Sequence, residues 1–216
     1  YLAESIWTQE NFAIKEYFPN DWAVRSEDGI SLRAFDETKR SFYEHGLSVF
    51  VNEAKILKNL REDDVVVDVK DFFYENNTGY IVMEYIQGCT LAQYMQRQNS
   101  IIPLDMAEVI IISVAKSMSK IHRLGLLHRD ISPDNIMLLE DGSIKLIDFG
   151  ATRQYALNET TDMSVMIKPG FAPMEQYSRT GKQGPWTDVY ALAATYYFIV
   201  SGKRPLTAVD RCAGEQ

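Results

Sequence analysis

At 216 residues, of which 46% are hydrophobic and 12% aromatic, the chain is large enough to bury the core of one large domain or of two lobes. Its formal net charge of −8 argues against nucleic acid as the main partner, because phosphate backbones attract basic surfaces. The two cysteines, Cys89 and Cys212, have neither metal-ligand nor redox spacing, which favours reduced thiols in the cytoplasm.

Hydrophobic periodicity in the first part of the chain indicates mostly strands. We expect strands up to about residue 5 and over 12–17, then a polar loop, then a helix over about 49–60. Two further strands are expected over 65–73 and 80–85, because the residues between them are rich in turn formers. These elements predict a small antiparallel sheet with one helix.

After Gly88 the pattern becomes helical. A short helix is expected over 90–96, and a long one over 105–124 that opens with the capping box Asp105-x-x-Glu108 and ends at Gly125. The longest apolar run, residues 189–200, is too short to span a membrane and predicts a buried helix. The fold class is therefore α+β, with lobes over residues 1–86 and 87–216.

Two acidic groups and an amide flank a predicted hairpin in the second lobe. The run from His128 to Asn135 contains Asp130, and two short apolar runs joined by Asp141-Gly142 lead from it to Asp148-Phe149-Gly150. A hairpin this short brings Asn135 and Asp148 together at its open end. Magnesium-assisted phosphoryl transfer requires such a set: one carboxylate receives a proton, while the other and the amide hold metal ions.

This pattern, H-R-D-x-x-x-x-N followed by D-F-G, resembles the catalytic and metal-binding loops of the protein kinase family. The runs 128–135 and 168–177 are similar to those of its bacterial serine/threonine members. The resemblance implies a two-lobed kinase fold, ATP and Mg²⁺ as cofactors, Asp130 as catalytic base and Asn135 and Asp148 as metal ligands. Residues 1–4 are similar to the strand that leaves the family's glycine-rich hairpin, but no glycine precedes them. We therefore expect a piece of a longer protein, without that hairpin and without the last C-lobe helices.

The family also requires a lysine on an early strand and a glutamate on a helix. Phe12-Ala13-Ile14-Lys15 is similar to the family's V-A-I-K strand. Glu53 shares a helical stripe with Phe50, Leu57 and Leu60, where a carboxylate needs a cationic partner. The resemblance implies that Lys15 is this partner and binds the α- and β-phosphates.

Further site residues follow only from the resemblance. It implies an adenine pocket in which the backbones of Glu84 and Ile86 bind the base. Three side chains would enclose the base: Met83, Ala13 and Met137. Residues between Gly150 and Ala172 would form an activation segment. A phosphate on one of its hydroxyl residues could pair with Arg129, and the candidates are Thr160, Thr161 and Ser164. Asp188 would anchor the catalytic loop, and Glu175, in a run similar to A-P-E with one extra residue, would be a second structural anchor.

The chain departs from the family at two positions. Serine/threonine kinases usually carry a lysine two residues after the catalytic aspartate, where this chain has Ser132, and a threonine where it has Lys168. One cation is lost and one gained beside Asp130, so we expect Lys168 to supply the catalytic charge. The alternative is that Lys168 points to solvent and Ser132 weakens catalysis.

Three functions are consistent with the sequence. The first is transfer of the ATP γ-phosphate to Ser/Thr hydroxyls of protein substrates, in a signalling protein that is cytoplasmic or the cytosolic domain of a larger protein. The second is a pseudokinase scaffold that binds nucleotide or a partner. The third is a small-molecule kinase of the aminoglycoside type, although such enzymes lack the activation segment and the A-P-E-like run. The sequence leaves substrate, activating signal and oligomeric state open.

Overall fold

The computed structural model describes residues 1–60, 63–149, 153–154, 167–178 and 180–214. These residues form two compact units: the first contains residues 1–60 and 67–85, and the second contains 63–66 and the described residues from 86 onward. No helix in the described ranges is long and apolar enough to cross a bilayer.

The first unit is a four-stranded antiparallel sheet with a hairpin and one helix. In chain order its elements are β1 (Leu2–Glu4), β2 (Asn11–Glu16), β3 (Ala23–Arg25), β4 (Leu32–Ala34), α1 (Glu37–Leu57), β5 (Val69–Glu75) and β6 (Thr78–Glu84). The sheet order is β1-β2-β6-β5, and β3 pairs with β4 in a separate hairpin. Helix α1 packs on β5 and β6, so the predicted sheet with one helix is confirmed.

Helix α1 starts at Glu37, so the expectation of a polar loop up to residue 49 is wrong. The Asp36 carboxylate caps the helix by accepting from the Lys39 N–H at 3.0 Å. The buried positions Tyr43, Gly46, Phe50, Ala54 and Leu57 continue one apolar stripe along the whole helix. Charged residues on the opposite face obscured that stripe in the sequence.

The hairpin and the start of α1 are tied to the turn between β5 and β6. The Leu32 N–H donates to the Asn76 carbonyl at 2.9 Å. The Tyr43 hydroxyl donates to the neighbouring Asn77 carbonyl at 2.6 Å. The N-terminal half of α1 is therefore fastened to the sheet.

The second unit is mainly helical. Its elements are β7 (Gly88–Thr90), α2 (Leu91–Gln98), α3 (Leu104–Arg123), β8 (Leu126–Leu127), β9 (Ile136–Leu139), β10 (Ile144–Leu146), β11 (Arg153–Gln154), α4 (Pro185–Ser201) and α5 (Ala208–Cys212). Strands β10, β9 and β7 form one small sheet, and β11 pairs with β8. The predicted hairpin at Asp141-Gly142 is confirmed, with Gly142 at φ +81°.

Two helix starts differ from the sequence expectation. Pro103 is the N-cap of α3 and makes no side-chain cap bond, so the predicted capping box at Asp105 and Glu108 is wrong. The Ala107 N–H already bonds to the Pro103 carbonyl at 2.8 Å, which places Asp105 inside the first turn. Likewise α4 begins at Pro185, and Asp188 lies within its first turn.

Residues 63–66 belong to the second unit, although residues 65 and 66 were expected in the first strand after the helix, within the first lobe. The buried Asp63 carboxylate accepts from the Ser117 hydroxyl at 2.7 Å and pairs with Lys120 at 2.7 Å, both on α3. The Leu146 N–H donates to the Val65 carbonyl at 2.6 Å. These bonds attach the segment to the second unit, and β5 starts only at Val69.

The cap of α1 gives a test of its revised start. Asp36→Ala removes the acceptor for the Lys39 N–H, so we expect the first-turn amides of α1 to exchange about fivefold faster, equivalent to about 1 kcal/mol of capping. Hydrogen exchange resolved by residue measures this. Asp36→Asn keeps a capping oxygen and serves as control; equal exchange in Asp36→Ala and the wild type would contradict the assignment.

Candidate active site

A buried carboxylate holds the loop that contains Asp130. Asp188 is only 1% exposed, and its two oxygens accept from consecutive backbone N–H groups, His128 at 2.9 Å and Arg129 at 2.7 Å. The Nε2–H of His122 donates to the same carboxylate at 2.8 Å. Because both N–H groups bind to one carboxylate on helix α4, the backbone that leads to Asp130 has a defined path.

His128 links this loop to the strand end before Asp148. Its Nε2–H donates to the Ile147 carbonyl at 3.1 Å, and its Nδ1 accepts from the Asp130 N–H at 3.2 Å. Complete burial lowers the pKa of His128, although the charges of Asp188 and Asp130 oppose this. The ring is therefore neutral, and it packs against Phe149 with centroids 4.5 Å apart.

Asp130 and Asn135 form a direct pair. The Asn135 side-chain amide donates to the Asp130 carbonyl at 2.7 Å and to its carboxylate Oδ2 at 2.8 Å. Burial raises the pKa of Asp130, while the charge of Lys168 and the bond from Asn135 oppose the rise. With its NH₂ group engaged, Asn135 has Oδ1 as the side-chain atom that could bind a metal ion.

The open end of the hairpin places Asn135 beside Asp148. The Ile147 N–H donates to the Asn135 carbonyl at 2.9 Å, and Asp148 is the next residue. Arg129 and Asp148 have φ of +70° and +62°, left-handed conformations that are strained in residues other than glycine and are found at functional sites. The backbone therefore agrees with the sequence expectation that Asn135 and Asp148 come together at the open end of this hairpin.

An amide oxygen and a carboxylate fit Mg²⁺, which prefers hard oxygen ligands and retains several waters. Among the described residues, no group of three or more His, Cys, Asp and Glu side chains could hold a metal ion. Asn135 and Asp148 could hold such an ion together with phosphate oxygens and water, which is the usual coordination of Mg²⁺ at nucleotide sites.

The Lys168 side chain binds to Ser132, the residue at the position where the family usually has a lysine. Its Nζ donates to the Oγ of Ser132 at 2.8 Å and pairs with Asp134 at 2.7 Å. The Lys168 carbonyl accepts from the N–H groups of Phe171 and Ala172, which closes a turn around Gly170. Gly170 has φ +85°, and a Cβ there would lie 2.6 Å from the Pro205 carbonyl, so the turn is fixed.

Residues around Arg129 and Glu175 make contacts that sequence reasoning missed. The Gln176 amide donates to the Arg129 carbonyl at 2.9 Å, and the Arg129 Nε–H donates to the Gln183 Oε1. Glu175, expected as an anchor, accepts from the Thr187 hydroxyl at 2.8 Å. No sequence pattern marks Gln176, Gln183 or Thr187, because their partners are distant in the chain.

In the first unit, Lys15 lies on β2, and Glu53 is buried on α1. Ala13 and Met83 are directly paired across β2 and β6. The Glu84 N–H donates to the Asp68 carbonyl at 2.9 Å, so this group is not open to a nucleotide. The Lys15–Glu53 pair and the adenine pocket stay predictions.

Five further expected residues remain. Ile86 begins the second unit, and Met137 is half-buried on β9. The candidate phosphorylation sites lie outside the described residues: Thr160, Thr161 and Ser164.

Residues 25–214 match the family model described as protein kinase domain. The chain belongs to this protein kinase family. A Corynebacterium efficiens protein named serine/threonine-protein kinases drp72 is 32% identical over 165 residues, covering 74% of this chain and 32% of its own length. Serine/threonine-protein kinase PknL of Mycobacterium tuberculosis is 29% identical over 184 residues, covering 85% of this chain and 45% of its own.

The solved structure of PpkA-294 in its apo form matches the kinase domain with a TM-score of 0.80 and 33% identity, covering 100% of this chain and 75% of that one. This likeness confirms the predicted kinase fold. The chain spans less than half the length of the two curated relatives.

The charges around Asp130 predict its titration in the kinase domain. Because burial raises the pKa of Asp130 and Lys168 opposes the rise, Lys168→Met should raise it further, so the carboxyl keeps its proton to higher pH. ¹³C NMR titration of the aspartate carboxyls measures this. The exposed Lys182→Met is the control; an unchanged Asp130 titration in Lys168→Met would contradict the coupling.

Proposed function

We propose that the protein transfers the γ-phosphate of ATP to serine or threonine hydroxyls of protein substrates. The observation that carries the proposal is the Asp130–Asn135 pair on a loop held by Asp188, with Lys168 bound beside it. Family membership and the names of the relatives, serine/threonine kinases, support the same reaction.

Asp130 would act as the base for the substrate hydroxyl. Its Oδ2 accepts from Asn135, which orients the carboxylate and leaves Oδ1 for the hydroxyl. The hydroxyl proton passes to Asp130 as the oxygen bonds to the γ-phosphorus, and the bond from that phosphorus to the β-γ bridging oxygen breaks to release ADP. Burial brings the pKa of this base nearer to the working pH.

The other expected residues would hold the nucleotide. Mg²⁺, when bound, would neutralise charge on the phosphates, and Asn135 Oδ1 and the Asp148 carboxylate would be its protein ligands. We assign Lys15 to the α- and β-phosphates and Glu53 to the orientation of Lys15. From the family resemblance we assign Ala13, Met83, Met137 and the backbones of Glu84 and Ile86 to adenine.

Lys168 would replace the missing lysine at position 132. Its bond to the Ser132 hydroxyl places the ammonium beside the loop that carries Asp130, and its charge acts on that carboxylate. The pair with Asp134 restrains a stem that is otherwise flexible. A preorganised cation here would stabilise the charge that develops on the transferring phosphoryl group.

Protein substrates and a cytoplasmic location are part of this proposal. To test the function, the full-length protein is incubated with labelled ATP, Mg²⁺ and generic protein substrates, followed by phosphoamino acid analysis. Phosphoserine or phosphothreonine is the expected product, and mass spectrometry shows whether Thr160, Thr161 or Ser164 is modified. Nucleotide binding without transfer would instead indicate a pseudokinase, and phosphorylation of small molecules alone would indicate the aminoglycoside type.

Asp130 and Asp148 should differ in their effects. Asp130→Asn removes the base but no nucleotide ligand, so we expect transfer to be lost while ATP affinity stays near that of the wild type. Asp148→Asn should abolish transfer and also weaken Mg²⁺-dependent ATP binding. Turnover and calorimetric binding measure both; near-normal turnover in Asp130→Asn would overturn the assignment.

The charge role of Lys168 can be tested by removing this lysine and then placing a lysine at position 132. Lys168→Ala should cost about 2–4 kcal/mol of transition-state stabilisation, the size of one preorganised electrostatic partner. Adding Ser132→Lys to that variant should restore part of kcat, because a lysine returns to the same region from the opposite side. Lys182→Ala is the matched control. Unchanged turnover in Lys168→Ala would refute the charge role.

A further inference from the structure

Arg129, the residue before the proposed base, is held by side chains from one short segment. Its N–H donates to Asp188 at 2.7 Å, its carbonyl accepts from Gln176 at 2.9 Å, and its Nε–H donates to Gln183. The three partners all lie between residues 176 and 188. The segment before α4 and the first turn of α4 therefore bind Arg129 through backbone and side chain together.

This binding acts on a strained residue. Arg129 has φ +70°, a conformation that is unfavourable in a residue with a Cβ and persists only where its surroundings enforce it. Rotation of this backbone would change the direction of the adjoining Asp130. Contacts on both sides of the Arg129 Cα, and on its guanidinium, oppose such a rotation.

The two glutamines have opposite hydrogen-bonding roles. Gln176 is 2% exposed and acts as donor, because the Arg129 carbonyl can only accept. Gln183 is half-buried and acts as acceptor, because the guanidinium can only donate. Both amides are neutral, so the arginine is held without a second charge at these two contacts.

We propose that Gln176 and Gln183 are positioning residues for the phosphoryl transfer: they hold Arg129 in its left-handed conformation and thereby aim the Asp130 carboxylate at the substrate hydroxyl. The inference rests on the proposed kinase function. It makes the loop before α4 part of the catalytic apparatus, although neither glutamine contacts the reacting atoms.

The opposite roles predict opposite outcomes for the same substitution. Gln183→Glu keeps an acceptor for the Arg129 guanidinium and adds a charge-assisted bond, so kcat should stay within about threefold of the wild type. Gln176→Glu places a carboxylate oxygen against the Arg129 carbonyl, so kcat should fall about 10- to 100-fold. Gln183→Leu, which removes the acceptor, should lower kcat about tenfold or more.

The experiment measures kcat and the KM for ATP of the full-length protein, with thermal unfolding as the check on folding. Because the glutamines act through Asp130, the KM for ATP should remain within about twofold in the Gln183 variants. Gln96→Leu, an exposed glutamine on α2, is the control. If Gln176→Glu does not fold, Gln176→Met removes the donor without adding charge and should lower kcat about tenfold.

The outcomes separate this inference from the function itself. A wild-type protein that transfers no phosphate refutes the proposed function. If the wild type transfers phosphate and Asp130→Asn does not, unchanged kcat in Gln183→Leu overturns the inference alone. Equal losses in Gln183→Glu and Gln183→Leu would also overturn it, because a role limited to packing does not distinguish an acceptor from an apolar side chain.

Discussion

The second unit depends on one buried carboxylate. Burying an ionised aspartate is unfavourable unless hydrogen bonds replace its hydration, and Asp188 receives two backbone N–H groups and one imidazole N–H. Its place in the first turn of α4 adds the favourable field of a helix N-terminus. The same three hydrogen bonds therefore stabilise the buried carboxylate and fix the path of the catalytic loop.

Positive charge near the base comes from an unusual direction. In this chain the ammonium of Lys168 arrives from the turn around Gly170, and a fully buried serine receives it. The anion that restrains it, Asp134, belongs to the catalytic loop itself. Cation, serine and carboxylate therefore connect the turn to the loop, and the turn geometry becomes a determinant of the electrostatics at Asp130.

Sequence reasoning succeeded where the information is local. Asn135 and Asp148 could be brought together because a short turn fixes the register of β9 and β10, and Asp130 lies only five residues before Asn135. The start of α1 was missed because the charged face of the helix hides its stripe, although Asp36 was a recognisable cap. Gln176 and Gln183 could not be predicted, because a glutamine in a loop has no periodicity and its partner is set only by the folded chain.

The attachment of α1 at one end has a mechanical consequence. The bonds at Asn76 and Asn77 restrain the β3–β4 hairpin and Tyr43, whereas Glu53 lies ten residues further along the same helix. At a rise of 1.5 Å per residue, Glu53 is about 15 Å from that attachment. A tilt of about 10° about Tyr43 would move Glu53 by about 2.5 Å, which is sufficient to break an ordinary hydrogen bond. The position of Glu53 is therefore set by the apolar packing of Phe50, Ala54 and Leu57 on the same part of the helix.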